Sequence, residues 1–146
     1  GEFLLGLHRK GQLRTDFETL PLRIGYHLPC RLRALQVGQP GRELIELIPG
    51  VEVRELPNSC SGMAGTFGIK ASNFRTSLRI GWSIISNLRD PSIHAAATEC
   101  SVCRIQLEQG TTKPTIHPIK ILAAAYGLWS GGLQNLLQPG SSFLLS

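Results

Sequence analysis

With 146 residues, the chain is long enough for one domain with a sizeable core and short for two. Its 42% apolar and 17% charged residues indicate a globular protein, and no stretch reaches the roughly 20 uninterrupted apolar residues that span a membrane. The net charge of +5 comes from lysines and arginines scattered along the chain, so we exclude a basic motif of the kind that binds nucleic acid.

The predicted elements begin with a charged segment. Residues 1–20 are interpreted as a helical arm or linker from a missing upstream region, since the chain begins without methionine. Alternating apolar residues predict a strand over residues 22–26. A short helix is predicted to begin at Pro40 and to end at the Pro-Gly pair of residues 49–50, and residues 51–56 predict a second strand. This order is typical of an α/β protein.

The middle of the chain predicts a loop, a helix and a third strand. A glycine-rich loop at residues 60–68 is followed by apolar residues at helical spacing over 74–88, which predict one continuous helix. That helix is expected to end near Pro91, where proline disfavours continuation. Residues 93–98 form a nearly uncharged run, which is typical of a strand buried on both faces of a parallel sheet.

The last part of the chain predicts two further helices. One covers residues 99–109, and the other begins at Pro118 and continues to Ala125. The 129–146 segment has turn residues and no clear period, so we expect a loosely packed C-terminal tail. The predicted fold is therefore an α/β domain over residues 21–128, with a small parallel sheet of three to four strands flanked by helices.

The four cysteines are the chemically informative residues of the chain. Cys30, Cys60 and the pair Cys100 and Cys103 each follow a predicted strand, and in a parallel sheet those strand ends share one edge, where ligands usually bind. Without a secretory signal, the cysteines are interpreted as reduced thiols rather than disulfides, which predicts a cytoplasmic protein. We expect the four sulfurs to converge on one metal or redox site.

The pair Cys100 and Cys103 is separated by two residues at the predicted start of a helix. This spacing lets both sulfurs reach one metal ion or cluster, and the helix N-terminus stabilises thiolates. Three interpretations remain open on the residues alone: an iron–sulfur centre, a structural zinc site, and a thiol–disulfide catalyst. The last would leave Cys30 and Cys60 without a role.

The order of the motifs resembles the cysteine-rich CCG domain family. This domain occurs in one of the subunits of heterodisulfide reductase, in one of the subunits of anaerobic glycerol-3-phosphate dehydrogenase, and in FAD-linked and glycolate oxidase iron–sulfur proteins. The resemblance covers roughly residues 22–128. Besides the cysteines, it rests on four segments that look like family signatures: Tyr26–Cys30, Ile48–Gly50, Gly62–Gly68 and Ile116–Pro118.

The resemblance implies that Cys30, Cys60, Cys100 and Cys103 bind an iron–sulfur cluster of the 4Fe–4S type, with zinc as the alternative cofactor. The family motif often has two adjacent cysteines, and here Ser61 stands at the second position, so the unusual larger cluster of heterodisulfide reductase is not implied. Four thiolates suffice for an ordinary four-iron cluster or a tetrahedral zinc.

Five further residues are candidates for contacts around the metal ligands rather than for ligation. His27 and His117 are interpreted as hydrogen-bonding partners of the site, and Ser61 as a weak oxygen donor. The amide of Gly62 is expected to face cluster sulfur, and Met63 to shield the site from water. Glu99, next to Cys100, is interpreted as a solvated helix-capping residue.

No nucleotide-binding loop, nucleophile elbow or acid–base carboxylate pair is present, so we expect a non-catalytic electron-transfer domain. The resemblance implies a place in a flavin-dependent respiratory dehydrogenase of the glycerol-3-phosphate, glycolate or lactate type, passing electrons from flavin toward quinone. The expected partners are a flavoprotein domain or subunit that carries FAD and a second cysteine-rich domain, in a complex at the inner face of the cell membrane. The alternative is a zinc-binding docking domain of such a complex.

Overall fold

The computed structural model describes residues 1–129 and 132–137. Its centre is a four-stranded, fully parallel sheet with the strand order β2-β1-β3-β4. The strands are β1 Leu22–Tyr26, β2 Val51–Glu55, β3 Ala95–Ala97 and β4 Thr115–Ile116. The α-helices of the described residues are α1 Glu2–Arg9, α2 Cys30–Leu35, α3 Pro40–Ile45, α4 Phe74–Ile80, α5 Trp82–Leu88, α6 Ser101–Thr111, α7 Pro118–Ala125 and α8 Gly132–Leu136.

Strand alternation divides the core between the two faces of the sheet. The larger core lies on the face of Ile24, Tyr26 and Ala95, where α3 and α7 cover the sheet. Ala96 points to the opposite face and packs with Leu88 in a smaller core formed by α5 and α6. Because β1 and β3 are covered on both faces, the prediction of a parallel α/β sheet flanked by helices is confirmed.

The helix predicted over residues 74–88 is wrong as one element. The structure has two helices, α4 and α5, which separate at Gly81, where φ is −77° and ψ is −2°. A Cβ on Gly81 would lie 2.2 Å from the carbonyl oxygen of Ser61, so the loop packs directly against the break. The helical spacing of apolar residues over 74–88 does not reveal this contact, because Ser61 lies in a different part of the chain.

Helix α2 and strand β4 are among the elements that the sequence did not predict. Helix α2 begins at Cys30 itself, and β4 contains two residues that pair with β3. The loop after Cys60 contains two 3₁₀ helices, Phe67–Ile69 and Ala71–Asn73, which lead into α4.

The two ends of the chain pack on the larger core where they are described. In α1, Leu5 is buried, and α1 contacts α3. Leu136 of α8 is buried near α7. The rest of the predicted tail, residues 130–131 and 138–146, lies outside the described residues. In the part of the chain that is described, no helix has the length and apolar character needed to cross a membrane.

Candidate metal centre

The four cysteines lie at the carboxyl edge of the sheet, as predicted. Cys30 follows β1 as the first residue of α2, Cys60 lies in the loop after β2, and Cys100 is the N-cap of α6 after β3. Cys103 lies in the first turn of α6. All four are free thiols, so no disulfide consumes them. The parallel arrangement thus brings together cysteines from three separate parts of the chain.

The cysteines line one cavity of about 90 Å³. Cys103 is buried at its base, Cys60 and Cys100 are half-buried, and Cys30 is exposed at its rim. Among the other residues around this cavity, which we call the sulfur cavity, are His27, Ser61, Met63, Ala64 and Gly65. The expectation that the sulfurs share one place therefore agrees with the geometry.

The loop that carries Cys60 is clamped from behind by α4. Gly62 has φ +92°, and a Cβ there would lie 2.0 Å from the carbonyl oxygen of Ser77, so only glycine fits. The fully buried Ser77 donates a hydrogen bond to the Gly62 carbonyl at 2.9 Å. Gln106 of α6 in turn donates to the Ser77 hydroxyl at 3.0 Å. The loop is thereby fixed to both α4 and α6.

Sulfur atoms in the cavity receive hydrogen bonds from this loop. The Ser61 hydroxyl donates to Sγ of Cys103 at 3.1 Å, and the backbone N–H of Gly62 donates to Sγ of Cys60 at 3.3 Å. Met63 is buried beside them and lines the cavity. Such donors stabilise negative charge on sulfur, whether the sulfur is a free thiolate or a metal ligand.

The two sulfurs of α6 influence each other. A hydrogen bond with the Cys103 thiol lowers the pKa of Cys100 to about 5; burial opposes this change, and the backbone N–H groups of Cys103 and Val102 support it. The same contact with Cys100, together with burial, raises the pKa of Cys103. Their contact therefore favours the thiolate form of Cys100 and the protonated form of Cys103.

His27 is the most unusual polar residue of the site. Its side chain is 2% exposed, lines the sulfur cavity, and neither ring nitrogen has a hydrogen-bond partner among the described residues. Burial, with a smaller contribution from Arg33, lowers the pKa of His27 to about 4, so the ring is neutral at physiological pH. A buried polar group without a partner costs roughly 1–3 kcal/mol, which indicates that a partner belongs in the cavity.

His117 occupies a different position from that of His27. It is the N-cap of α7, and its Nδ1 accepts a hydrogen bond from the backbone N–H of Ile119 at 3.1 Å. The described residues that line the sulfur cavity do not include it. Its visible role is to begin α7, and its contact with a bound group stays a prediction.

Glu99 is not the solvated capping residue that its position suggested. Both of its carboxylate oxygens accept hydrogen bonds from the buried Tyr26 hydroxyl, at 2.9 and 3.0 Å. Burial raises the pKa of Glu99, although the Tyr26 hydrogen bond opposes the change. This pair ties the residue before Cys100 to β1, and so holds the first turn of α6 against the sheet.

Ser77, Gln106 and the Tyr26–Glu99 pair are structural parts of the site that the sequence did not reveal. Gln106 offers the one usable clue, because it is a polar residue one helical turn after Cys103 on the buried face of α6. Ser77 is a small polar residue on the inner face of α4, a pattern too common to indicate a site. Their roles depend on contacts that only the folded chain makes.

Four cysteine thiols are a donor set that suits a thiophilic metal group. Residues 1–129 and 132–137 contain no group of three His, Cys, Asp or Glu side chains close enough to hold a single metal ion. A tetrahedral zinc needs four ligands within about 2.3 Å of one point. The four sulfurs line one cavity, and four thiolates are also the usual ligand set of an iron–sulfur cluster.

Comparison with known proteins adds independent information. Residues 24–108 match the cysteine-rich domain family named CCG, a range that includes all four cysteines. The chain is 36% identical over 106 residues to one of the subunits of the anaerobic glycerol-3-phosphate dehydrogenase of Escherichia coli K12. These aligned residues make up 73% of this chain and 27% of that relative. It is 29% identical over 92 residues to an uncharacterized iron–sulfur protein of Methanocaldococcus jannaschii, covering 62% of this chain and 18% of that protein. The chain thus spans about a quarter or less of the length of these relatives.

Proposed function

Because the chain belongs to the cysteine-rich CCG domain family, we propose that it is an iron–sulfur electron-transfer domain. In this proposal Cys30, Cys60, Cys100 and Cys103 bind a 4Fe–4S cluster through their thiolates. The observation that carries the proposal is that four free sulfurs from three strand ends line one cavity. The iron–sulfur relative from Methanocaldococcus jannaschii supports the same cofactor class.

The residues around the sulfurs are suited to holding an anionic group. The bound cluster would supply reversible one-electron transfer. The Ser61 hydroxyl and the Gly62 amide donate hydrogen bonds to cysteine sulfur, which favours added negative charge and so raises a reduction potential. The neutral His27 ring has one N–H to donate and faces the same cavity. Met63 limits the access of water.

We place the domain in a larger enzyme. The name of the glycerol-3-phosphate dehydrogenase relative identifies it as one subunit of a complex, and this chain matches about a quarter of it. The proposed setting is a flavin-dependent respiratory dehydrogenase of the glycerol-3-phosphate, glycolate or lactate type. Electrons would pass from FAD on a partner domain or subunit, through this site, toward quinone. A second cysteine-rich domain and a location at the inner face of the cell membrane belong to the same proposal.

Metal analysis of the full chain, purified without oxygen, tests the cofactor. We expect about four irons and four acid-labile sulfides per chain and a brown, visible-absorbing protein. About one zinc without sulfide would instead support the structural alternative, and neither metal would indicate a thiol-only domain. As a control, Ser83→Cys adds a thiol on the exposed surface of α5 and should leave the iron content unchanged.

A further inference from the structure

The segment between β2 and β3 has an unusual charge distribution. Residues 56–89 contain none of the ten aspartates and glutamates of the chain, but they contain Lys70, Arg75, Arg79 and Arg89. The first three are exposed, and none of them forms an ion pair with a carboxylate in the described residues. Their positive field therefore extends into solvent without local neutralisation.

The same segment exposes most of the large apolar side chains on the described surface. Nine such side chains are exposed in the described residues, and five of them lie within residues 67–82. They are Phe67, Ile69, Phe74, Ile80 and Trp82. An apolar patch among basic residues marks an interaction site, and tryptophan and arginine are the residues that most often dominate binding energy. We call the exposed side chains of residues 67–82 the α4 face.

One contact orders the edge of the α4 face. The Arg89 guanidinium lies over the Trp82 ring at 5.0 Å and donates two hydrogen bonds to the carbonyl oxygen of Gly110. Arg89 is thus fixed to the end of α6 while Trp82 remains half-exposed. An ordered aromatic side chain loses little conformational entropy when a partner covers it.

The α4 face is continuous with the rim of the sulfur cavity. Ala64 and Gly65 are exposed and line the cavity, and Phe67 follows two residues later. On its inner side, α4 packs against Ser61 and Gly62, the loop that contacts the sulfurs. A partner bound to the outer side of α4 would lie about one helix diameter, roughly 10–12 Å, from that loop.

We propose that the α4 face docks the acidic surface of a small electron-carrier protein that exchanges electrons with the sulfur site. This inference rests on the proposed electron-transfer function, because a docking surface beside the site is useful only if electrons pass there. The basic residues would steer an acidic partner, and the apolar side chains would form the centre of the contact.

Two other occupants fit the face less well. A second copy of the chain would bring two basic surfaces together, and like charges across an interface oppose association. A helix that lies on a membrane presents one continuous apolar stripe, whereas here the apolar residues come from a 3₁₀ helix, the seven-residue α4, and the start of α5. An acidic protein matches both the positive charge of the face and its discontinuous apolar surface.

The test uses the full chain, purified without oxygen, and flavodoxin as the probe, a small acidic electron carrier. Binding is measured from the fluorescence anisotropy of labelled flavodoxin at low and high salt, and iron and sulfide are determined in the same sample. We expect salt-sensitive binding that the double variant Arg75→Glu/Arg79→Glu weakens by about tenfold or more. The matched control, Arg9→Glu/Lys10→Glu at the end of α1, makes the same change of charge on the opposite face of the sheet. It also breaks the exposed Arg9–Glu43 ion pair, which contributes little to stability, and should alter binding by less than about twofold. Circular dichroism checks that both variants fold, and Lys70→Glu repeats the test at a third position.

The outcomes separate the docking proposal from the cofactor proposal. Equal binding by the wild type and Arg75→Glu/Arg79→Glu, in protein that contains iron and sulfide, would overturn the docking surface and leave the function intact. Binding that falls in the variant, in protein without iron or sulfide, would support the surface and overturn the electron-transfer function. Binding of phosphatidylglycerol vesicles but not flavodoxin, or dimerisation that buries Trp82, would also overturn the inference.

Discussion

Two cavities of this domain differ in size and in what lines them. The larger, about 320 Å³, lies beside β1 and β2, and its charged side chains form ion pairs: Arg23 with Glu52 at 3.0 Å, and Arg54 with Asp90 at 2.6 Å. The sulfur cavity is smaller, about 90 Å³, yet it contains four free thiols and the unpartnered ring of His27. Unsatisfied chemical groups, rather than volume, therefore make the sulfur cavity the candidate functional site.

We expect the largest effect, a loss of bound iron, from the removal of a buried cysteine sulfur. Cys103→Ser deletes a proposed thiolate ligand at the base of the sulfur cavity, so iron should fall from about four per chain to well under one. The control is Arg23→Ala in the larger cavity, which should keep its full iron content. Iron and sulfide analysis of both proteins, purified without oxygen, makes the measurement. Full iron in Cys103→Ser would remove the distinction between the two cavities.

The next largest effect should come from the helix break that supports the cysteine loop. Gly81→Ala adds a methyl group that would overlap the Ser61 carbonyl oxygen. We therefore expect the free energy of unfolding to fall by about 1–3 kcal/mol. Gly6→Ala on α1 is the matched control, since outside the adjacent helix backbone no atom of the described residues lies within 4 Å of the added carbon. It should be neutral or stabilise by up to about 1 kcal/mol. Denaturant unfolding compares the two, and equal stabilities would contradict the packing argument.

Removing the clamp hydroxyl should have a similar or smaller effect. Ser77→Ala leaves the Gly62 carbonyl and the Gln106 amide without their shared buried partner, which should cost about 1–2 kcal/mol of stability. In protein with its cofactor, the release rate of iron to a chelator should rise as the loop loosens. Ser83→Ala, at an exposed position on α5, serves as the control for both measurements. Identical behaviour of the two variants would contradict a role for Ser77 in the site.

Substitution of His27 should stabilise the metal-free protein rather than destabilise it. In metal-free protein, His27→Phe removes two buried nitrogens that lack partners, so the free energy of unfolding should rise by about 1 kcal/mol. In protein with its cofactor, the same change should lower the reduction potential, because it removes the proposed hydrogen bond from His27 to cluster sulfur. His8→Phe on α1 controls for the loss of a histidine elsewhere. A destabilised metal-free variant would show that the ring is satisfied without any bound group.

We expect the smallest change in stability and iron content from a substitution in the larger cavity. Glu52→Ala breaks an ion pair whose side chains are 55% and 72% exposed, so stability should change by no more than about 1 kcal/mol. The effect should shrink further at high salt, since exposed charges are screened. Iron content should not change. A loss of iron or a large loss of stability would make this cavity part of the functional site after all.

The sequence by itself determined the class of fold and the place of the cysteines. The alternating residues of β1 and the uncharged run that contains β3 are local patterns, and buried strands of this kind form a parallel sheet. Once the sheet is parallel, Cys30, Cys60 and Cys100 must meet at its carboxyl edge, because all the strands end there. The prediction therefore needed only local hydrophobic pattern and the direction of the strands.

Only the tertiary structure decided how the site is supported. The break at Gly81 follows from its contact with Ser61, twenty residues earlier, and the burial of Glu99 follows from the Tyr26 hydroxyl in β1. Likewise, the sequence places His27 before Cys30 but cannot show that both ring nitrogens are buried without partners. Each of these features depends on residues that are distant along the chain and adjacent in space, and hydrophobic periodicity contains no information about such pairs.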